Sequence, residues 1–470
     1  MLPDWTVVGF SGHRQIANEK ATAESIRAAL DDLAAKHGPI VAISSLANGS
    51  DALFLTEVSR RNIPFLLILP FPKSRFQKDF QPEEWQRVTP LMERASHIEE
   101  VSGADSDNEA YMETGVRVVD HADVLVAVWD GKQPKGFGGT GDVVAYCRAL
   151  DKPLEWLNPL TGDIVVERFE CLPQSGAAKD GSGKAYETIE KHFRNLDEGA
   201  ALRAPKVRHL IQRVVLLHLI ASAAGLVALS LDLNGLAGNA IAALEIVVLA
   251  TAFILTAQRH RTHAEWMKSR IEAEICRSFM AIWPLRGRIS RMPDVGIPGF
   301  ERLTRNLWLM QKMDGTPPLP LETARDEYLQ SRIQDQIGYF SRRCKEALRS
   351  YRTLKGLAMA STATAGLLAG SHFVLSLMNV KGSVATATEL LSLIFPLVSA
   401  ALFSLILTQE HSRRANRYQE MVVRLEAAAL ELKAVRTWNG LVRVATETEE
   451  QLLNEAIEWH SFRRFASEAH

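Results

Sequence analysis

Two long apolar runs separated by a short polar turn occupy residues 214–257, and residues 356–407 repeat the plan. The first run, VVLLHLIASAAGLVALSL, has 18 residues, close to the minimum that crosses roughly 30 Å of hydrocarbon as a helix. The second, residues 236–257, has 22 and carries one ionisable side chain, Glu245, near its middle. Asp232, Asn234, Gly235 and Asn239 mark the turn between them. The competing reading is a buried helical hairpin in a soluble protein. Four runs of spanning length, paired twice across polar turns, exceed what a soluble core of this size uses. The pattern therefore predicts four transmembrane helices in two hairpins.

Charge placement orients them. Lys206, Arg208 and Arg213 precede the first pair and Arg259 and Arg261 follow it. Arg342, Arg343, Lys345, Arg349, Arg352 and Lys355 precede the second pair, Arg413, Arg414 and Arg417 follow it, and Lys381 alone lies in a turn. By the positive-inside rule the expectation is a multi-pass membrane protein with both termini and the central segment cytoplasmic and the turns facing outward.

The first third of the chain has a different rhythm. Short apolar runs at 5–10, 40–44, 64–69, 124–129 and 154–157 alternate with helical patterns at 21–36, 52–61, 108–120 and 143–150. That alternation predicts a Rossmann-like α/β domain with a parallel sheet, whose ligands sit at the carboxyl ends of the strands. Three glycine- or serine-rich turns fall at those ends. The first holds Gly9, Ser11, Gly12 and Arg14, the second Ser45, Gly49, Ser50 and Asp51, and the third Asp130, Gly138, Gly139, Thr140, Gly141 and Asp142. Glycines there permit close backbone approach to an anion, the hydroxyls of Ser11, Ser45, Ser50 and Thr140 donate to phosphate oxygens, and Arg14 offers a bidentate contact. A nucleotide site follows as the expectation, with these residues as its candidates. Residues 70–107, polar and irregular with Phe71, Phe76, Phe80 and Trp85 among charges, read as either a pocket rim or a helix packed on the sheet.

Composition adds little to this picture because averaging hides the blocks. The 470 residues imply two or three units, and a net charge of -1 gives no reason to expect nucleic acid as a partner. The four cysteines show no CxxC spacing and read as reduced structural thiols. No signal peptide is visible at the start. His260 and His263 lie a helical turn apart without further ligands, so no metal is expected.

The segments VGFSGHR, SLANGSD and WDGKQPKGFGGTGDVVAYCRALDKP resemble the SLOG superfamily, the Rossmann-like nucleotide-binding fold shared by the DprA proteins and the lonely-guy phosphoribohydrolases. The resemblance covers about the first 160 residues and implies a nucleotide or nucleotide-derived ligand. The phosphoribohydrolases carry PGGxGTxxE, whose glutamate takes part in N-glycosidic cleavage. Setting residues 138–141 on GGxG puts Phe137 at the proline, Asp142 at the threonine and Ala145 at the glutamate. Alanine cannot act as acid or base. Sensing rather than hydrolysis is the expectation, and Asp142, Asp130 and Glu113 replace the carboxylate only in another geometry.

Each hairpin is followed by an amphipathic pattern. Ala264, Met267, Ile271, Ile275, Phe279 and Ile282 form one apolar face after the first, and Tyr418, Val422, Leu425, Ala429 and Leu432 form another after the second. Gln258 and His260 correspond to Gln409 and His411, and RIEA at 270–273 to RLEA at 424–427, so the chain reads as an internal duplication. Two spans and a helix resemble the SLATT domains, two-span modules associated with SLOG sensors in bacterial conflict systems, and the resemblance implies membrane perforation. Glu245 is the candidate within the bilayer, facing either a pathway or a neighbouring span. Its counterpart in the second repeat is Pro396.

The expected division is a nucleotide-binding domain at 1–160, a linker at 161–205, a first two-span module with its cytoplasmic helix at 206–292, a connector at 293–340 whose Pro-rich stretch 293–320 is the expected hinge, and a second module at 341–470. The expected function is an antiphage membrane effector. A nucleotide second messenger or an NAD-derived molecule, made by an enzyme encoded nearby, binds the first domain and triggers pore formation in the bilayer by a homo-oligomer. No obligatory cofactor is expected. The alternative is a membrane-anchored nucleotide or NAD hydrolase whose spans are only an anchor.

Overall fold

The computed structural model describes residues 2–132, 137–172, 185–287, 289, 299–317, 319–380 and 382–468. The basic side chains of Arg208, Arg259, Arg261 and Lys381, the His260 ring, Gly136 and residues 173–184 of the expected linker lie outside what it describes. The chain divides into two compact units. One comprises Met1–Ile189 with Glu301–Thr316, the other Glu190–Phe300 with Pro317–His470.

The first unit is built on a seven-stranded sheet. Its strands are β1 (Thr6–Gly12), β2 (Ile40–Ser44), β3 (Phe65–Leu69), β4 (His97–Glu100), β5 (Val124–Val128), β6 (Leu154–Leu157) and β7 (Ile164–Glu167), in the order β4-β3-β2-β1-β5-β6-β7. The first six run parallel and β7 is antiparallel to β6. Helices α1 (Glu19–His37), α2 (Ser50–Arg60), α3 (Lys73–Phe76), α4 (Pro82–Arg94), α5 (Asp107–His121) and α6 (Thr140–Ala149) fill the connections. β2, β3 and β5 are buried at every residue, as expected where helices cover both faces of a parallel sheet. Phe10 and Phe54 stack in the core with ring centroids 4.2 Å apart. Asn18 and Ser106 cap α1 and α5 by accepting from the amides of Ala21 and Glu109.

The apolar-run reading missed the two edge strands. β4 reads HIEE and β7 reads IVVE, four residues each with only alternate positions half-buried, which leaves no apolar run to notice. The sheet accordingly continues to Glu167, past residue 160. The stretch 70–107 holds α3, α4 and β4. Phe76 is buried in the sheet's core, and Phe80, packed edge-on between it and Trp85, lies with Trp85 half-buried against that core.

A further helix joins this unit from far along the chain. α9 (Phe300–Met313), from the stretch read as a connector, packs at the amino ends of β1 and β5, opposite their carboxyl ends. Arg302 and Asn306 donate to Asp4 Oδ1 at 2.5 and 3.0 Å, Arg305 donates to Asp123 Oδ1 at 2.5 Å, and Trp308 stacks on His121 at 4.4 Å. Asp123 in turn accepts from the Val7 amide at 2.8 Å, so α9 is tied to the start of β1.

Glu155 is one of the buried acids that shape the pH response of this unit. Glu155 on β6 is 6% exposed, and burial, reinforced by Asp32 against Lys36, pushes its pKa up to about 7. A raised folded-state pKa stabilises the fold below the unfolded value of 4.5 and loses that contribution as pH rises through about 7. The melting temperature of this unit is therefore expected to fall between pH 5 and 8. Glu155→Gln is expected to flatten that slope and to raise stability at pH 8 by on the order of 2 kcal/mol. Thermal melts across the pH range check it, and an unchanged slope in the variant counts against it.

The second unit is helical. α7 (Ala185–Ser230) and α8 (Gly235–Ile282) form the first pair. α10 (Leu321–Glu327), a π-helical stretch (Tyr328–Gln334) and α11 (Asp335–Leu377) run on as one rod, paired with α12 (Ser383–Gln409). Glu410 adopts a left-handed φ of 49° and separates α12 from α13 (His411–Ala434), which α14 (Trp438–Glu468) follows. Among the described residues, four helices are long and apolar enough to cross a membrane, in two pairs. Their apolar side chains are not packed inside: Leu236 is 89%, Phe253 77%, Leu367 75% and Leu407 74% exposed. A soluble buried hairpin would bury these groups, so the apolar surface calls for lipid. The helical extensions behave differently. Met267, Ile271, Ile275, Phe279 and Ile282 on α8, and Val422, Leu425, Ala429 and Leu432 on α13, are buried, whereas Ala264 is exposed.

Candidate functional site

The sheet places three turns together. The chain winds outward from β1 to β4, then crosses to lay β5 to β7 on the other side of β1, so the strand order reverses between β1 and β5. In open α/β sheets a crevice forms at the carboxyl ends of the strands at such a reversal. The turns after β1, β2 and β5 all reach it.

Their contacts are specific. The His13 amide donates to Val128 O at 3.0 Å, and His13 Nε2 lies 3.1 Å from both the carboxylate and the amide nitrogen of Asp130, joining the β1 and β5 turns directly. Ser50 donates through its amide and its hydroxyl to His13 O, at 3.1 and 2.7 Å, joining the β2 turn to both. A Cβ at Gly49 would sit 2.2 Å from Arg14 O, and Gly49 also has a φ of +91°. The close approach of these two turns thus requires glycine. Asp130 is held below the ordinary carboxylate range: burial would raise it, and the Lys132 amide and His13 outweigh that.

Several candidates turn inward. Asp51 is 2% exposed and accepts from the Gly12 amide and the Ser44 hydroxyl, each at 3.2 Å, and from the Ser45 hydroxyl. Burial raises its pKa to about 6 against these hydrogen bonds. Asp142 accepts from the amides of Gly138 and Gly139 at 2.9 and 3.3 Å, so a carboxylate of the chain itself fills that nest at the start of α6. Gly9 lies inside β1, where a Cβ would come within 2.8 Å of Ala122, and it lets α5 approach the sheet. Thr140 is half-buried and Gly141 buried in the first turn of α6, and Ser11 is half-buried at the end of β1.

Arg14 faces outward. Its guanidinium lies 4.7 Å from the centre of the Tyr111 ring, and Tyr111 donates its hydroxyl to Asp79, which also accepts from Arg75. Phe71 meets the Tyr111 ring edge-on at 5.6 Å and carries Arg75 over its own face at 4.5 Å. This rim of alternating guanidinium and aromatic groups comes from α3, α5 and the turns after β1 and β3. Sequence reading missed Tyr111, Arg75 and Asp79, and only Phe71 among charges hinted at them. Ala145 is exposed on α6. The three carboxylates considered in place of the missing glutamate are all engaged: Asp142 by the glycine amides, Asp130 by His13, and Glu113 by Arg117 at 2.8 Å.

Within the spans, Glu245 and Gly225 meet across the first pair. A Cβ at Gly225 would lie 2.4 Å from Glu245 Oε1, so the carboxylate occupies room that only glycine leaves. The second pair is joined at the level of Pro396 by hydroxyls. Ser361 donates to Phe395 O at 2.7 Å, Ser399 donates to Ala358 O at 3.1 Å, and Thr362 lies 2.7 Å from Ser399. Small hydroxylated residues that allow close approach and hydrogen-bond between helices are a recurrent way of packing spans.

Residues 328–459 match the family described as SMODS and SLOG-associating 2TM effector domain 1. No curated protein matches the chain. The matched segment runs from the π-helical stretch through α11, α12 and α13 into α14. It contains the second pair of spans. The chain thus carries a SLATT two-span effector domain, which implies a membrane effector of a conflict system. The parallel α/β sheet of the first unit is consistent with the SLOG fold expected for it.

Proposed function

We propose that this chain is a bacterial inner-membrane effector in which a nucleotide-derived signal binds the crevice between β1 and β5 and shifts the helical unit towards a conducting or membrane-disrupting state. One observation carries the reading: three turns tied by His13, Ser50 and Asp130 converge at the strand reversal, in a chain that also bears a two-span effector domain. The donors left for a phosphate are the Arg14 guanidinium and the hydroxyls of Ser11 and Thr140, with Tyr111 and Phe71 as stacking surfaces for a base. The amides of Gly138 and Gly139 would serve an incoming anion only by releasing Asp142.

Connectivity supports the coupling. Between α8 and α10 the chain leaves the helical unit, contributes α9 to the α/β unit, and returns. A ligand that changes the sheet's packing therefore acts on a helix that lies in sequence between the two pairs of spans. It shifts the equilibrium only by its difference in affinity for the two states. An even number of spans in each repeat gives both the same orientation, and a conducting pathway from such small bundles is built by a homo-oligomer.

Equilibrium binding of the full-length protein to cyclic mono- and dinucleotides, NAD and ADP-ribose tests the first step. One class is expected to bind, and Arg14→Ala is expected to weaken it at least tenfold while leaving the melting temperature unchanged. Tight binding that is indifferent to Arg14 would move the site elsewhere. Turnover of any of these compounds would instead favour a hydrolase.

A further inference from the structure

The helical unit holds a cavity and a neighbouring groove of different chemistry. One half is a cavity of about 340 Å³ where α7, α11 and α13 come together at the end of the apolar segments. Arg343, Arg414, His209 and His411 line it, together with the single acid Glu346. The other half is an apolar groove of about 470 Å³ between α7 and α12, walled by Val214, Val215, Leu219, Leu397, Ala400 and Ala401. The two are continuous in sequence on both walls. On α7 the groove begins at Ile211 and the cavity includes Gln212; on α12 the groove ends at Thr408 and the cavity includes Gln409.

The dimensions fit a lipid leaflet. The groove covers positions 211 to 222 on one helix and 397 to 408 on the other, about 16 Å along each axis at 1.5 Å per residue. That is about half of a 30 Å hydrocarbon core. The cavity then stands at headgroup depth, and its charges suit a phosphate diester. Arg343 lies over the Tyr339 ring at 5.5 Å and pairs with Glu346 at 3.1 Å, three residues away on an exposed face, a contact of the weak kind that a phosphate readily replaces. Arg414 reaches the Tyr418 hydroxyl at 3.3 Å with donors to spare. His411 is 9% exposed, lines the cavity, and has a buried Nε2 with no hydrogen-bond partner among the described residues. It is also the first residue of α13, a 24-residue helix whose positive end lies there, set by the left-handed turn at Glu410.

We infer that this is a site for one anionic phospholipid, its phosphate held by Arg343, His411 and Arg414 and an acyl chain laid in the groove between α7 and α12. Because α7 belongs to the first pair and α11 to α13 to the second, the lipid bridges the two pairs. The inference stands independently of any nucleotide site.

Intact-protein mass spectrometry of the full-length chain from detergent tests it, using phosphatidylglycerol, phosphatidylcholine, glycerol 3-phosphate and inorganic phosphate at equal concentration. One phosphatidylglycerol is expected to be retained at least tenfold more than phosphatidylcholine, with neither soluble phosphate competing. The pair Arg343→Ala and Arg414→Ala is expected to reduce retention to the phosphatidylcholine level. Ala400→Trp, which fills the groove at an exposed position and keeps the charges, is expected to lower it at least fivefold, and gives an independent reading should the arginine variant not fold. Equal retention of the two lipids, or undiminished retention in folded variants, overturns the site. Competition by phosphate or glycerol phosphate makes it a free-phosphate site and overturns the lipid.

Discussion

Replacing Glu449 by alanine is expected to destabilise the helical unit by about 3–5 kcal/mol, because it strands a buried guanidinium. Arg332 is 7% and Glu449 0% exposed, and the two are joined in fork geometry at 2.8 and 2.5 Å. Tyr328, 4% exposed, adds its hydroxyl to Glu449 at 2.9 Å. Burial by itself would lower the Arg332 pKa, and Glu449 more than reverses that, so the arginine stays charged. The π-helical stretch carries Tyr328 and Arg332 four residues apart towards α14, and α14 supplies Glu449. The contact thus ties the start of the two-span domain to its end. Thermal unfolding in detergent, followed by circular dichroism, measures the loss. The double replacement Arg332→Met with Glu449→Leu is expected to recover most of it, since a well-packed apolar pair substitutes for a buried ion pair at little cost. A Glu449→Ala variant that melts with the wild type would show that the pair carries no weight.

Asp51→Ala is the second substitution with a large expected effect, in the α/β unit. The carboxylate gathers the Gly12 amide and the hydroxyls of Ser44 and Ser45 in a site closed to solvent. Its removal leaves donors without acceptors at on the order of 1–3 kcal/mol each. The turns after β1 and β2 lose their common anchor, so both the melting temperature and nucleotide binding are expected to fall. Arg14→Ala differs by affecting binding alone. Should Asp51→Ala leave stability intact while binding is lost, Asp51 contacts the ligand and is not the internal clamp described above.

The spans were legible because their apolar residues come in unbroken blocks, which no soluble pattern matches. The central strands were legible for a related reason: β2, β3 and β5 are buried on both faces and read as continuous runs. The edge strands HIEE and IVVE were not, since their half-exposed positions look like loop. The three glycine turns could be placed at strand ends from spacing alone. Which of their polar groups face a ligand could not, because Asp51 and Asp142 find partners through the folded geometry of neighbouring turns. The same limit hid α9 and the Arg332–Glu449 pair. Asp4 and Arg302 are 298 residues apart, and Arg332 and Glu449 are 117 apart. Residues so distant in sequence leave no local pattern that joins them. Glu245 was legible as an exceptional carboxylate in a span. Its reason for fitting, the missing side chain of Gly225 on the other helix, required the packed pair.

The measurement that bears most directly on the central claim is dye release from liposomes carrying the full-length protein. Cyclic mono- and dinucleotides, NAD and ADP-ribose are added one at a time. The expected result is rapid release with the class that binds the protein, none in its absence, and at least tenfold less with Arg14→Ala at the same nucleotide concentration. Binding without release of any dye, or release that is the same with and without nucleotide, would contradict a signal-gated membrane effector.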